Sequence, residues 1–148
     1  MKKMKIWRIM FMALAVFYLA SCSDAKDGDW DPMVWKAEVS VQSSDGAYIV
    51  SPAGDELTFS CRNYSRPWIE NAESGGEYIF PHREANDFCT ITAEWFKAEI
   101  SENRLSVVFD ANETGEDRTI QLTVTAGDIF HTFKFKQPVR GDFTTIDN

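Results

Sequence analysis

The residues of this 148-residue chain that could perform catalysis include only two histidines, and their spacing matches no catalytic pattern. The two histidines are His82 and His131, and neither has a second histidine or a cysteine at helical spacing. Glu70 and Glu73 are a pair of carboxylates such as a glycosidase uses, but among 23 acidic side chains we interpret them as solvated surface. No Gly-x-Ser-x-Gly turn and no phosphate-binding loop occurs. The sequence therefore predicts a protein that is not an enzyme, with no catalytic residue and no cofactor.

An acidic segment near the N-terminus spaces its carboxylates as a calcium-binding loop does. The first, third, fifth and twelfth positions hold Asp27, Asp29, Asp31 and Glu38. Such a loop needs glycine at its sixth position, where the backbone turns with a positive φ. That position is Pro32, whose ring fixes φ at a negative value. The sequence therefore predicts no metal site.

Aromatic side chains are the best candidates for a binding function. The strand pattern is irregular between Trp68 and Phe88, and Tyr64, Trp68 and Tyr78 lie beside or within this stretch. Aromatic rings stack on the apolar faces of sugars while their polar edges keep hydrogen bonds, and binding residues concentrate on loops. We therefore predict that these three residues form a glycan-binding platform. The alternative is that they pack against the edge of the folded domain.

Alternating apolar and polar residues dominate the chain from residue 35 onward, as expected for half-buried strands. The alternation is found in residues 35–41, 56–61, 105–109, 120–124 and 133–135. Segments rich in Gly, Asp, Asn, Ser and Pro separate these strands, and no sustained helical stripe lies between them. Short strands joined by such turns predict an all-β fold, a two-sheet antiparallel sandwich. His131 shares its register with Phe133 and Phe135, so we expect it in the core or at its rim.

The first residues have the pattern of an export signal. Lys2, Lys3, Lys5 and Arg8 precede an apolar run over residues 9–20, which is short against the ~20 residues that cross a bilayer. We therefore predict a removable signal-peptide helix over residues 1–21. The residues Leu19-Ala20-Ser21-Cys22 resemble the lipobox of bacterial lipoproteins. This resemblance implies that Cys22 becomes the lipid-bearing first residue and anchors the protein to a membrane.

The segment after the lipobox, residues 22–34, holds several aspartates and little to bury, which predicts a flexible acidic tether. It resembles the surface-export signal of Bacteroidetes lipoproteins. Ser23 stands where an inner-membrane retention signal has aspartate. The resemblance implies residence in the outer membrane, facing outward. Removing the leader leaves 11 basic against 23 acidic side chains, a net charge of −12, which argues against nucleic acid as a partner.

Two cysteines, Cys61 and Cys89, remain once Cys22 is assigned to lipidation. In an oxidising exported setting, bonding them would close a loop of about 29 residues and stabilise the fold by ~3 to 4 kcal/mol. We therefore predict a disulfide. The alternative is two buried thiols that act as small hydrophobic groups.

Several motifs resemble a BACON domain. They are Trp95-Phe96, the Asn112-Glu113-Thr114 turn, Arg118, the final strand closing on Gln137 and, upstream, residues 53–59 with Trp68. The resemblance spans residues 46–137 and implies an immunoglobulin-like β-sandwich of gut Bacteroidetes surface proteins, associated with carbohydrate or serving as a spacer. With the strand pattern, it predicts a sandwich over residues 35–137 and a polar tail over 138–148.

These observations predict a lipid-anchored cell-surface accessory protein that binds glycans. The alternative is a non-catalytic structural or partner-binding subunit of an outer-membrane complex, with no ligand of its own.

Overall fold

The computed structural model describes residues 30–82 and 87–141. The predicted signal peptide, Cys22 and the predicted tether up to residue 29 lie outside these residues, as does the predicted tail from residue 142 onward. Within the described ranges no helix is long and apolar enough to cross a membrane.

The described residues form two β-sheets packed face to face. The five-stranded sheet has the order β1 (Trp35–Ala37), β4 (Asp55–Cys61), β9 (Arg104–Phe109), β8 (Phe96–Ser101) and β7 (Thr90–Thr92). The six-stranded sheet has the order β2 (Ser43–Ser44), β3 (Ala47–Ile49), β11 (Phe130–Gln137), β10 (Arg118–Thr125), β5 (Trp68–Ser74) and β6 (Glu77–Ile79). The predicted β-sandwich is confirmed. One pairing differs from the antiparallel prediction, since β3 runs parallel to β11.

The core lies between the sheets and follows the alternation seen in the sequence. Along β8, buried Phe96, Ala98 and Ile100 alternate with exposed residues, and β11 buries Phe133 and Phe135 in the same way. Burial of such side chains is the main favourable term in folding. The prediction for residues 35–41 was wrong in part, because β1 ends at Ala37 and Val39 is exposed.

The irregular stretch after Trp68 contains a hairpin that the pattern did not reveal. β5 and β6 are joined at Gly75 and Gly76, which have φ of 60° and 83°. Two consecutive positive φ values match the turn that suits the twist of a two-residue hairpin, and glycine adopts them without steric cost. The chain then crosses from β6 to β7 in the other sheet.

The predicted disulfide between Cys61 and Cys89 is absent, and both cysteines are free. Cys61 lies at the end of β4, and the Cys89 carbonyl accepts a bond from Ile100 of β8. β9 and β8 lie between β4 and β7, so the two cysteines are three strand spacings apart, roughly 14 Å. A disulfide needs Cα atoms within about 7 Å. Cys61 is buried, as the alternative predicted, but Cys89 is exposed.

A polar network closes the end of the sandwich at which β11 terminates. Gln137 is fully buried, and its Nε2 donates to the carbonyls of Ser51 (2.8 Å) and Asp110 (2.9 Å) while its Oε1 accepts from Arg118 Nε (2.8 Å). The Arg118 guanidinium also lies 4.3 Å from the centre of the Trp95 ring. These residues carried the resemblance to BACON domains, and here they have a structural role.

Candidate binding face

The strand pairing places two of the three predicted aromatic residues on one surface. On β5, Ile69 and Ala72 are fully buried, so the alternation of side chains puts Trp68 and Glu73 on the outer face of the six-stranded sheet. Tyr78 of β6 pairs with Glu73 and therefore lies on the same face. We call this surface the binding face.

The third predicted residue, Tyr64, lies elsewhere. It belongs to the loop between β4 and β5, packs against the core, and its hydroxyl donates to the Asp31 carbonyl at 2.7 Å. Its role in the structure is to hold the N-terminal segment against the sandwich. The strand pairing thus brings Trp68 and Tyr78 to one face, while Tyr64 lies in the loop that precedes β5.

Two phenylalanines missed by the sequence analysis extend the binding face. Phe80 follows β6 and stacks on Tyr78 with ring centroids 6.3 Å apart. Phe130 of β11 lies in one row with Thr125 of β10 and Trp68 of β5. Tyr78, Phe80 and Phe130 expose 61%, 52% and 57% of their surface. The outward position of Phe130 could have been predicted. Alternate residues of a strand face the same side, so Phe130 shares its side with Thr132 and not with the buried Phe133.

Polar side chains fill the space between these aromatic residues. One row across the sheet holds Asn71, Thr123 and Thr132, and the next holds Glu73, Gln121 and Lys134. The hydroxyl oxygens of Thr123 and Thr132 are 3.1 Å apart. Amide, hydroxyl and charged groups of this kind donate to and accept from sugar hydroxyls. The binding face therefore combines stacking surfaces with hydrogen-bonding groups.

A groove of about 660 Å³ adjoins the Trp68 end of the binding face. We call it the end groove; its lining residues are Arg66, Pro67, Trp68, Phe88, Cys89, Ile100 and Glu102. Its walls are mainly apolar, with one cation and one anion among them. Arg66 and Glu102 also line a neighbouring polar cavity that holds Tyr64.

The described residues contain no group of three or more His, Cys, Asp or Glu side chains that could hold a metal ion. His131 is half-buried between aromatic rings, with its ring centroid 4.6 Å from that of Phe133 and 6.3 Å from that of Trp35. Burial disfavours the charged imidazolium and lowers the pKa of His131 below its usual 6.5. The ring is therefore neutral at pH 7 and acts as a packing group.

This burial predicts a pH-dependent stability. The unfolded chain takes up a proton on His131 near pH 6.5, whereas the folded protein resists protonation until a lower pH. The free energy of unfolding is therefore expected to fall as the pH drops below about 6.5, towards the folded pKa. Urea unfolding between pH 7 and pH 5 measures this loss.

The variant His131→Gln is expected to flatten that dependence, since it removes the titrating group. The matched variant His82→Gln, at an exposed position, is expected to keep it. An equal pH dependence in His131→Gln and the wild-type protein would show that His131 does not cause the loss of stability.

The search of solved structures finds a protein with the same fold, described as the NMR structure of the protein from Bacteroides thetaiotaomicron. The sequences are 30% identical, the TM-score is 0.65, and the match covers 82% of this chain and 98% of that one. This chain belongs to the family of that Bacteroides protein. No protein-family model and no curated protein matches it. The similarity to this relative supports the β-sandwich fold, and the description of the relative names no ligand.

Proposed function

We propose that this protein is a lipid-anchored accessory protein of the bacterial cell surface that binds glycans through its binding face. The observation that carries the proposal is the placement of Trp68, Tyr78, Phe80 and Phe130 on one face of the six-stranded sheet, with polar side chains between them. Exposed aromatic residues that share a surface in this way are typical of binding sites.

The spacing of these aromatic residues favours an extended ligand. Trp68 and Glu73, the partner of Tyr78, pair with Thr125 and Gln121 of β10, which are four residues apart, or roughly 14 Å at the rise of a strand. A single sugar cannot contact both positions. The proposed ligand is therefore an oligosaccharide or polysaccharide chain that lies along β5.

The anchoring part of the proposal rests on the sequence. The lipobox ending at Cys22 and the acidic segment behind it support lipidation and export to the outer surface. The origin of the relative, Bacteroides thetaiotaomicron, is consistent with the resemblance of this segment to Bacteroidetes export signals. The predicted charge of −12 for the mature chain favours neutral glycans over polyanions.

The mature chain, carrying Cys22→Ser to prevent lipidation, is expected to be retarded by a polysaccharide in affinity electrophoresis. Each stacked ring contributes ~0.5 to 1.5 kcal/mol beyond the area it buries, so Trp68→Ala and Tyr78→Ala are each expected to weaken binding by about three- to tenfold. Tyr78 is largely exposed, and its replacement therefore leaves the fold intact.

The matched control is Val108→Ala, which alters an exposed apolar residue on the outer face of the five-stranded sheet. It is expected to leave retardation unchanged. Plant, host and mucin polysaccharides are the probes. Absence of retardation by all of them would contradict the proposal and favour a structural or partner-binding subunit.

A further inference from the structure

Exposed apolar side chains gather at one end of the sandwich, around the end groove. Phe88 lines the groove and is 39% exposed, and Phe130 lies in the same row of the sheet as Trp68. Trp30 and Val34, at the start of the described chain, are 56% and 53% exposed. We call this end of the molecule the proximal end. The network around Gln137 closes the opposite end.

The N-terminal segment is attached firmly at the proximal end. The Val34 amide donates to Asn63 Oδ1, and Asn63 Nδ2 donates to the Pro32 carbonyl, both at 2.9 Å. Tyr64 holds Asp31 in the same way, and the Met33 side chain is buried in the core. The last residues of the predicted tether are therefore part of the folded domain, and they fix where the chain leaves it.

The length of chain between this attachment and Cys22 limits the position of the domain. Seven residues separate Cys22 from Trp30, and the eight Cα–Cα steps between the two span at most about 29 Å when fully extended. The eight residues of β11, which runs between the two ends of the sandwich, span about 27 Å. If the opposite end contacted the membrane, the chain between Cys22 and Trp30 would have to be almost fully extended along the sandwich. Contact of the proximal end with the membrane requires no such extension.

We propose that the proximal end of the sandwich docks on the surface of the lipid bilayer, with the end groove, Phe88 and Trp30 in contact with phospholipid. This inference depends on the lipidation of Cys22 that the proposed function includes. Arg66 and Glu102 supply one charge of each sign at the groove, which suits a zwitterionic headgroup. Apolar contact at an interface of this kind adds to the hold of the covalent lipid.

Docking also sets the orientation of the binding face. The strands run from the proximal end to the closed end, so the outer face of the six-stranded sheet stands upright on the membrane. Tyr78 and Phe80 are then held away from the bilayer, where a glycan chain can reach them. Trp68 lies where the binding face meets the docked end.

The test uses Cys89 as a probe, because it is exposed and lines the end groove whereas Cys61 is buried. Lipidated protein in phosphatidylcholine vesicles and the unlipidated Cys22→Ser protein with the same vesicles are labelled with a charged maleimide. Docking is expected to slow labelling of Cys89 about tenfold in the lipidated protein, since the reagent stays out of the interface.

The matched control is the double variant Cys89→Ser, Gly115→Cys. Gly115 lies in the exposed turn at the closed end, where an added side chain meets no heavy atom within 4 Å of its Cβ and the backbone φ is not positive. Labelling there is expected to change less than about twofold on anchoring, because that end faces solvent. Phe88→Glu, which places a carboxylate at the groove, is expected to restore fast labelling of Cys89.

Equal labelling of Cys89 with and without the lipid, in protein that floats with the vesicles, would overturn docking and leave the anchor intact. Equal slowing at both positions would overturn the orientation. Failure of the mature protein to float would overturn the anchor and docking together, while glycan binding by the unlipidated protein is measured independently.

Discussion

Replacing Phe133 with alanine is expected to lower the free energy of unfolding by about 3 to 5 kcal/mol. Phe133 is buried at the centre of the aromatic core, with ring centroids 4.9 Å from Phe59, 5.2 Å from Trp35 and 4.6 Å from His131. Both sheets contribute to this contact, so the cavity left by the ring could close only if the two sheets moved closer together. Denaturant unfolding measures the loss, which is a large part of the ~5 to 15 kcal/mol of a typical domain.

The same strand supplies the matched control. Phe130 is a phenylalanine of β11 that is 57% exposed, and Phe130→Ala is expected to change stability by less than about 1 kcal/mol. Similar losses for Phe130→Ala and Phe133→Ala would mean that the register of β11 is wrong. The Phe130 variant also tests the binding face, since it removes a ring without disturbing the core.

Replacing Gln137 with alanine is expected to cost about 2 to 4 kcal/mol, although the side chain is polar. Its amide group satisfies the Ser51 and Asp110 carbonyls and accepts from Arg118, and the residue has no access to solvent. Truncation removes the partner of the Ser51 carbonyl and of Arg118 Nε, whereas the Asp110 carbonyl keeps its bond from Arg118 Nη2. A polar group that loses its hydrogen bond inside the protein costs more than the bond itself contributed. Urea unfolding of the purified variant measures the effect.

Gln121→Ala is the control for that experiment, because it removes the same side chain from an exposed position of β10. Its expected effect is within about 0.5 kcal/mol. A loss below about 1 kcal/mol for Gln137→Ala would contradict the role of the network in closing this end of the sandwich.

The strands with strict alternation could be predicted, because a period of two reports directly which face of a strand is buried. Residues 105–109 and 133–135 fall within β9 and β11 with the expected side chains in the core. The β5–β6 hairpin escaped prediction because a bulge interrupts β5 between Ile69 and Asn71 and breaks its period. The adjacent glycines Gly75 and Gly76 were the remaining sequence feature that indicated a turn at this point.

The order of strands within a sheet could not be predicted, and the wrong disulfide follows from that. The spacing of Cys61 and Cys89 along the chain says nothing of the two strands that lie between them in the sheet. The hydrogen bond of Tyr64 could not be predicted for a similar reason, since its partner Asp31 is distant in sequence. Trp68 and Tyr78 share a face because of the pairing of β5 with β6, which only the structure reveals.

The most direct test of the central claim, that the outer face of the six-stranded sheet binds glycan, is an NMR titration of the unlipidated mature chain. The titrant is a set of oligosaccharide fragments from a polysaccharide that retards the protein. Chemical-shift changes are expected to cluster at Trp68, Asn71, Tyr78 and Phe130, which lie on that face. Changes confined to the outer face of the five-stranded sheet around Val108, or no changes with any fragment, would contradict it.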